Sequence, residues 1–93
     1  MRTIDRSSAF KRDYKRESKG QHRLSLDDAL MSVLVALAKD ETLDTRYRDH
    51  DLSGHWAGYR ECHIKPDLLL IYRKSDSQTL RLARLGSHSE LFS

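Results

Sequence analysis

The sequence predicts a single α+β domain in which two helices cover one face of a small antiparallel sheet, in the order βααβββ. Three observations predict it. Apolar residues recur at helical spacing over positions 26–37, they alternate with a period of two from Tyr59 onward, and turn residues punctuate the second half at Lys65-Pro66-Asp67 and Lys74–Gln78. The 93 residues fit one domain, 1–93, with no Pro-rich linker, repeat or low-complexity stretch dividing it. At 38% hydrophobic and 33% charged residues the chain is polar for a globular protein, yet apolar enough to fold.

Thr3 to Arg6 alternates weakly and reads as a short strand. Ser7-Ser8 offers N-cap oxygens to a helix from Ala9 to Lys19, with Gly20 expected to end it at the C′ position. Lys11, Arg12, Lys15, Arg16 and Lys19 fall within about 140° of arc on that helix and make a continuous basic stripe. Ser25 opens the second helix with Asp28 as a capping-box variant, and Leu26, Leu30, Val33, Leu34 and Leu37 form its core face before it ends near Lys39. Asp40 to Gly58 has no clean period and reads as a long loop. Strands follow at Tyr59–Ile64, Leu68–Arg73 and Thr79–Leu85, the middle one apolar enough to be central, and Gly86 leads into a tail.

Charge is unevenly spread. Residues 1–24 hold eight Lys and Arg against three acids, residues 25–51 hold three against seven, and residues 52–93 hold six against four. A basic first quarter in a chain of net charge +3 suits an anionic partner, nucleic acid or an acidic protein, or else a solvated helix face. Met1 to Arg6 lacks the apolar stretch of a signal peptide, and no run is long enough to span a membrane, so the expected location is cytoplasmic. The single cysteine, Cys62, forms no internal disulfide and alternates with His63, which turns it toward the core.

Hairpin arithmetic brings chemistry together. A turn centred on Asp76 sets Asp67 opposite Leu85, and one centred on Lys65-Pro66 sets His63 opposite Leu68. His63, Asp67, Arg84 and His88 are then expected to converge at one end of the sheet, with Phe92 four residues past His88 folding over the same edge. Two imidazoles, a carboxylate and an arginine can supply a general acid, a general base and a phosphate clamp. RNA needs no external nucleophile, because its own 2′-OH attacks the adjacent phosphate once deprotonated. Metal binding is the rival use of His50, His63, Asp67 and His88, but no Cys-x-x-Cys or His-Glu-x-x-His spacing supports it. His22 and His55 are expected in solvent, Trp56 in packing that anchors the loop, and Tyr59 and Tyr72 as ordinary strand residues.

The segments Tyr47–Gly54 and Trp56–Asp67, the run Leu69–Tyr72 and the stretch Arg84-Leu85-Gly86-Ser87-His88-Ser89-Glu90-Leu91-Phe92 resemble the YafQ branch of the RelE toxin superfamily. The resemblance covers about half the chain at motif level, and the helices carry no signature of their own. It implies the toxin of a type II toxin–antitoxin system, a ribosome-dependent endoribonuclease that cuts mRNA in the A site without metal or organic cofactor. Carried over residue by residue, it implies catalytic roles for His50, His63, Asp67 and His88, and substrate binding by Arg84, Phe92, Glu61 and Lys65. It also implies an acidic, DNA-binding cognate antitoxin, and contacts to 16S rRNA or that antitoxin through Lys11, Arg12, Lys15, Arg16 and Lys19. Leu68 stands where some relatives carry Trp, and the acid and base labels of the histidines remain interchangeable. The alternative function is a non-catalytic basic module that binds RNA or an acidic protein.

Overall fold

The computed structural model describes residues 1–92. Strand β1 (Thr3–Arg6) leads into α1 (Ser8–Glu17) and α2 (Leu26–Ala38). Strand β2 (His50–Asp51), β3 (Arg60–Lys65), β4 (Leu68–Arg73), β5 (Thr79–Gly86) and a short α3 (His88–Phe92) complete the chain. The sheet order is β1-β5-β4-β3-β2, antiparallel except that β1 runs parallel to β5. A fully antiparallel sheet was the expectation. The two-helix crossover carries the chain back to the end where β1 began, and β5 then fills the place beside it in the same direction.

The caps show where local sequence decided. Ser7 accepts from the Phe10 N–H at 2.9 Å, as an N-cap should. Gly20 does not end α1, which stops at Glu17 with Ser18 as its cap; the chain continues in turns whose bonds run Arg23 N–H to Gly20 and Ser25 N–H to His22. Ser25 makes no side-chain cap, because its backbone is already turned toward the helical region. At the far end of α2, Asp40 takes the left-handed conformation at φ 59° usually given to glycine. Its N–H reaches the Leu37 carbonyl and the Glu41 N–H the Ala36 carbonyl, while Arg2 and Lys74 pair its carboxylate and hold its pKa down at about 2.

Two irregularities set which side chains face which way. On β3 a bulge between His63 and Lys65 pairs His63 with Leu69, one residue beyond the expected Leu68. On β5 the partner of β4 jumps from Arg84 to Leu82, which leaves Ala83 extra. The β4–β5 turn centres on Ser77 rather than Asp76, since Arg73 pairs with Arg81, and that shift together with the bulge sets Leu85 across from Leu70, not Asp67. Leu80, Leu82 and Leu85 all join the core beneath α1 and α2, with Phe10, Leu26, Leu30, Val33, Leu34, Cys62, Leu70 and Tyr72. A second apolar layer of Leu69, Ile71, Ala83 and Leu91 lies on the opposite face, flanked by Trp56, Tyr59 and Phe92.

Beyond Arg6, the outer edge of β5 has no strand beside it, and α1 supplies the partners there. Ser7 Oγ donates to the Ala83 carbonyl at 2.7 Å, the Leu85 N–H donates to Asp13 at 3.0 Å, and Arg16 donates to the Leu85 carbonyl at 2.9 Å. Asp13, buried among basic neighbours, also takes Arg84 Nε at 2.6 Å and Arg16 Nη1 at 2.9 Å. Burial pushes its carboxyl up, but these three donors outweigh burial and leave it below the ordinary 3.8. Asp13→Ala should therefore cost about 3 kcal/mol in urea denaturation, the range for removing one partner of a buried charged network. Because the folded pKa lies below the unfolded one, Asp13 stabilises above the ordinary value and the gain is lost as pH falls through the folded one. The variant should accordingly show a flatter loss of stability below about pH 5 than the wild type; equal slopes would mean that the carboxylate is not ionised in the fold.

Candidate active site

The register lays the candidate residues on the sheet face that α1 and α2 leave clear. One cross-strand row reads His50, Glu61, Ile71, Arg84, and the next reads His63, Leu69, Gly86. Residues paired across antiparallel strands point to the same side, so these rows share a face with the second apolar layer. Adjacent strands lie about 4.8 Å apart, which puts the His63 and Gly86 backbones about 10 Å from each other across Leu69.

His50 is held from both sides. Its Nδ1 donates to the Arg48 carbonyl at 2.6 Å, and its Nε2 lies 3.1 Å from Glu61. Arg48 can present that carbonyl because it adopts the left-handed conformation at φ 53°, which costs a non-glycine residue and marks a conformation imposed by its surroundings. Glu61, expected to touch substrate, is buried, and its carboxylate backs His50. Asp49, which sequence reasoning did not single out, takes Arg60 at 2.9 Å and the buried Tyr72 hydroxyl. Tyr72 is thus more than an ordinary strand residue: it ties the loop before β2 to the central strand, and burial together with Asp49 pushes its pKa up.

Arg84 meets Asp13 through Nε and Nη2, at 2.6 and 3.2 Å. That leaves its Nη1 end for a ligand, a narrower offer than the free fork the sequence suggested. His88 opens α3 and is exposed, with the Phe92 ring 5.0 Å away between centroids. Helix α3 was expected only as a tail, although the sequence carries its signal. Ser87 accepts from the Glu90 N–H at 3.2 Å and Glu90 from the Ser87 N–H at 2.8 Å, the reciprocal capping box of a Ser-x-x-Glu motif.

Asp67 faces elsewhere. Its carboxylate takes Gln21 at 2.6 Å and lies 2.9 Å from His22 Nε2, both in the connection between α1 and α2. His22, expected in solvent, is instead largely covered, whereas His55 is exposed as expected. The difference comes from the turns after Glu17, which carry His22 over the β3–β4 hairpin. Lys65 is half-buried at the end of β3. Trp56 is half-buried beside Tyr59, edge to face, on the outer apolar layer rather than in the main core. Of the basic stripe, Lys11, Arg12, Lys15 and Lys19 are exposed, but Arg16 turns to Asp13, the Leu85 carbonyl and Glu90.

Helices on one face of a mostly antiparallel sheet, with histidines and an arginine on the other, define a toxin of the type II toxin–antitoxin class: the family model described as the bacterial toxin of type II toxin-antitoxin system, YafQ, matches residues 2–93. The chain belongs to that YafQ toxin family. It is similar to the mRNA interferase toxin YafQ of Escherichia coli K12, 36% identical over 92 residues that cover 99% of this chain and 97% of that protein. A copper-bound mutant toxin from Helicobacter pylori superposes with TM-score 0.86 at 39% identity, covering 99% of this chain and all of that one. The toxin of the E. coli DinJ–YafQ complex superposes with TM-score 0.82 at 34% identity, covering 99% and 98%.

The copper of the Helicobacter protein prompts a test of fit here. Among the described residues no three His, Cys, Asp or Glu side chains are grouped to hold a metal ion. His50–Glu61 and His22–Asp67 are two-donor pairs, short of the three or four ligands a bound transition metal needs. Cys62 is no nucleophile either, since burial, then the carboxylates of Asp49 and Glu61, push its thiol up. A thiol reagent at mildly alkaline pH should label Cys62 only as fast as the protein unfolds; rapid labelling of the native protein would show that the thiolate is accessible.

Proposed function

We propose that this chain is an mRNA interferase that cuts mRNA on the ribosome, in the A site, by transphosphorylation through its own side chains. The observation that carries the reading is the pair of rows on the open sheet face, His50-Glu61-Ile71-Arg84 beside His63-Leu69-Gly86, with His88 directly after. The family membership and the name of the E. coli relative support it.

A phosphodiester lying over Leu69 and Ile71 has His63 on one side and His88 on the other. His63 takes the proton of the 2′-OH, and O2′ forms a bond to phosphorus as the bond to O5′ breaks. His88 gives its proton to the leaving O5′, producing a 2′,3′-cyclic phosphate and a 5′-OH end. Asp67, whose carboxylate is committed to Gln21 and His22, takes no part in the proton transfers, and the base side rests on His63. The Nη1 end of Arg84 offsets the charge that builds on the phosphorane, and its partner Asp13 fixes its aim. His50, oriented by the Arg48 carbonyl and Glu61, faces the same charge. Phe92 packs on His88 and offers its ring to a base. No step requires a metal.

The E. coli relative is found bound to the antitoxin DinJ. For this chain we propose an acidic antitoxin on the stripe of Lys11, Arg12, Lys15 and Lys19, whose exposed cations otherwise meet rRNA. Arg16 leaves the stripe because it is committed to Asp13.

Primer extension on mRNA from cells expressing wild type, His63→Ala or His88→Ala tests the reading. In-frame cuts should appear with the wild type and fall by about 10²–10⁴ in each variant, the usual contribution of one general acid or base. Both variants should keep the fold, since neither side chain is in the main core. Cuts that persist in both variants, or growth arrest without cuts, would contradict the mechanism and favour a binding module.

A further inference from the structure

A groove of about 750 Å³ opens beside the candidate site, between the side of α2 and the end of β3. Its lining includes Arg46, Tyr47, Arg48, His63 and Lys65, against one acid, Asp28. We propose that this groove holds the backbone of the substrate RNA strand next to the cut, as a short single-stranded track. The proposal rests on the reading of the chain as an mRNA interferase and adds the path that the strand takes from the scissile phosphate.

Three observations carry it. The first is charge. Arg2, Arg16, Arg60, Lys74, Arg81 and Arg84 all have carboxylate partners. Arg46, Arg48 and Lys65 take part in no ion pair among the described residues, and both arginines are exposed. Three cations on one groove wall that their own protein leaves uncompensated suit a row of phosphates. Arg46 and Arg48 lie in the stretch of the chain richest in acids, so their concentration here is local rather than compositional.

The second is preorganisation. Asp44 accepts from the Arg46 N–H at 2.9 Å and caps a single turn of 3₁₀ helix, Thr45–Tyr47. Leu43 and Tyr47 anchor that turn on the main core, and the left-handed Arg48 closes it. The Arg46 guanidinium lies 4.8 Å from the Tyr47 ring centroid and donates to its hydroxyl at 2.9 Å. A planar cation laid against an aromatic ring is a surface on which a base can stack while the same cation meets a phosphate.

The third is continuity. His63 belongs both to the groove lining and to the sheet row assigned to catalysis. The Arg48 carbonyl fixes His50, so the same residue that offers a cation to the groove shapes the site. A strand with its scissile phosphate at His63 has to leave on one side or the other. This groove is the basic exit on the β3 side, and that connection to the cut favours an RNA strand over an acidic protein.

The test measures binding of a short, fully 2′-O-methylated oligoadenylate, which has no free 2′-OH to react, by fluorescence anisotropy from about 50 to about 200 mM salt. Arg46→Gln and Arg48→Asn are suitable variants; asparagine tolerates the left-handed backbone that residue 48 needs. Each should weaken binding about tenfold at the lower salt, as removal of a charge-assisted hydrogen bond does. Together they should lower the salt slope by about 1.4, at about 0.7 for each single-strand phosphate that is no longer neutralised. Lys39→Gln, at the exposed end of α2, is the control and should match the wild type.

Variants that bind and respond to salt like the wild type would overturn the proposal, as would a wild type that does not bind the oligonucleotide at the lower salt. Retained RNA binding together with abolished antitoxin binding would overturn it in favour of an acidic protein partner. Failure of the cleavage reading shows itself separately, in the primer-extension experiment, because the methylated probe reports binding alone.

Discussion

Asp13 is a carboxylate sunk between a helix and a strand, and the rest of the structure is arranged around satisfying it. Strand β1 is too short to cover β5 beyond Leu82, so the outer half of β5 would leave backbone groups without partners. Helix α1 closes that edge through Ser7, Asp13 and Arg16. The carboxylate holds Arg84 by the same bonds, and Arg84 is thereby fixed at the border between packing and chemistry. Gly86 completes the knot. A Cβ there would meet Arg16 Nη2 at 2.8 Å and Glu90 Oε1 at 3.1 Å, so a larger residue would push aside the ends of the two side chains that meet over the end of β5.

That anchor separates the two faces of the sheet. One is filled by α1 and α2 and holds the continuous apolar core, Cys62 and Tyr72 included. The other carries a thin apolar strip of Leu69, Ile71, Ala83 and Leu91, bordered by His50, His63, Arg84 and His88. The bulge on β5 makes this division possible: without the extra Ala83, strict alternation would send Arg84 into the core with Leu80 and Leu82. The cations divide in the same way. Those beside Asp5, Asp13, Asp40, Asp49 and Asp51 hold the fold together, while those on the outside of α1 and around Arg46 and Arg48 are left for anionic partners.

The architecture was legible wherever the apolar period was regular. The face of α2, strands β3 to β5 and the Ser7 cap all follow from side-chain spacing and local hydrogen bonding. The register was not, because the β4–β5 turn centres on Ser77 rather than Asp76 and a bulge slips each hairpin by one residue more, although the spacing of Leu80, Leu82 and Leu85 breaks a period of two and signals the one on β5. Helix α3 was written in Ser87 and Glu90. Strand β2, two residues long, leaves no periodic trace. Asp13 is not singled out by any motif or spacing, and only the tertiary fold shows that Arg16 of the basic stripe turns toward it. His22 and Asp67 are far apart in sequence and meet through turns that no motif announces. The histidines and Arg84 stood out from their types and from the resemblance, whereas Arg46 and Arg48 gained interest only once the groove between α2 and β3 gave them a common wall.

The central claim is that chemistry on the open sheet face uses the RNA's own 2′-OH. Mass spectrometry of the RNA ends released by the purified protein on programmed ribosomes tests it most directly. The account predicts a 2′,3′-cyclic phosphate on the upstream fragment and a 5′-OH on the downstream one. A 5′-phosphate on the downstream fragment would contradict it, because that end requires water, and not O2′, to attack the phosphorus.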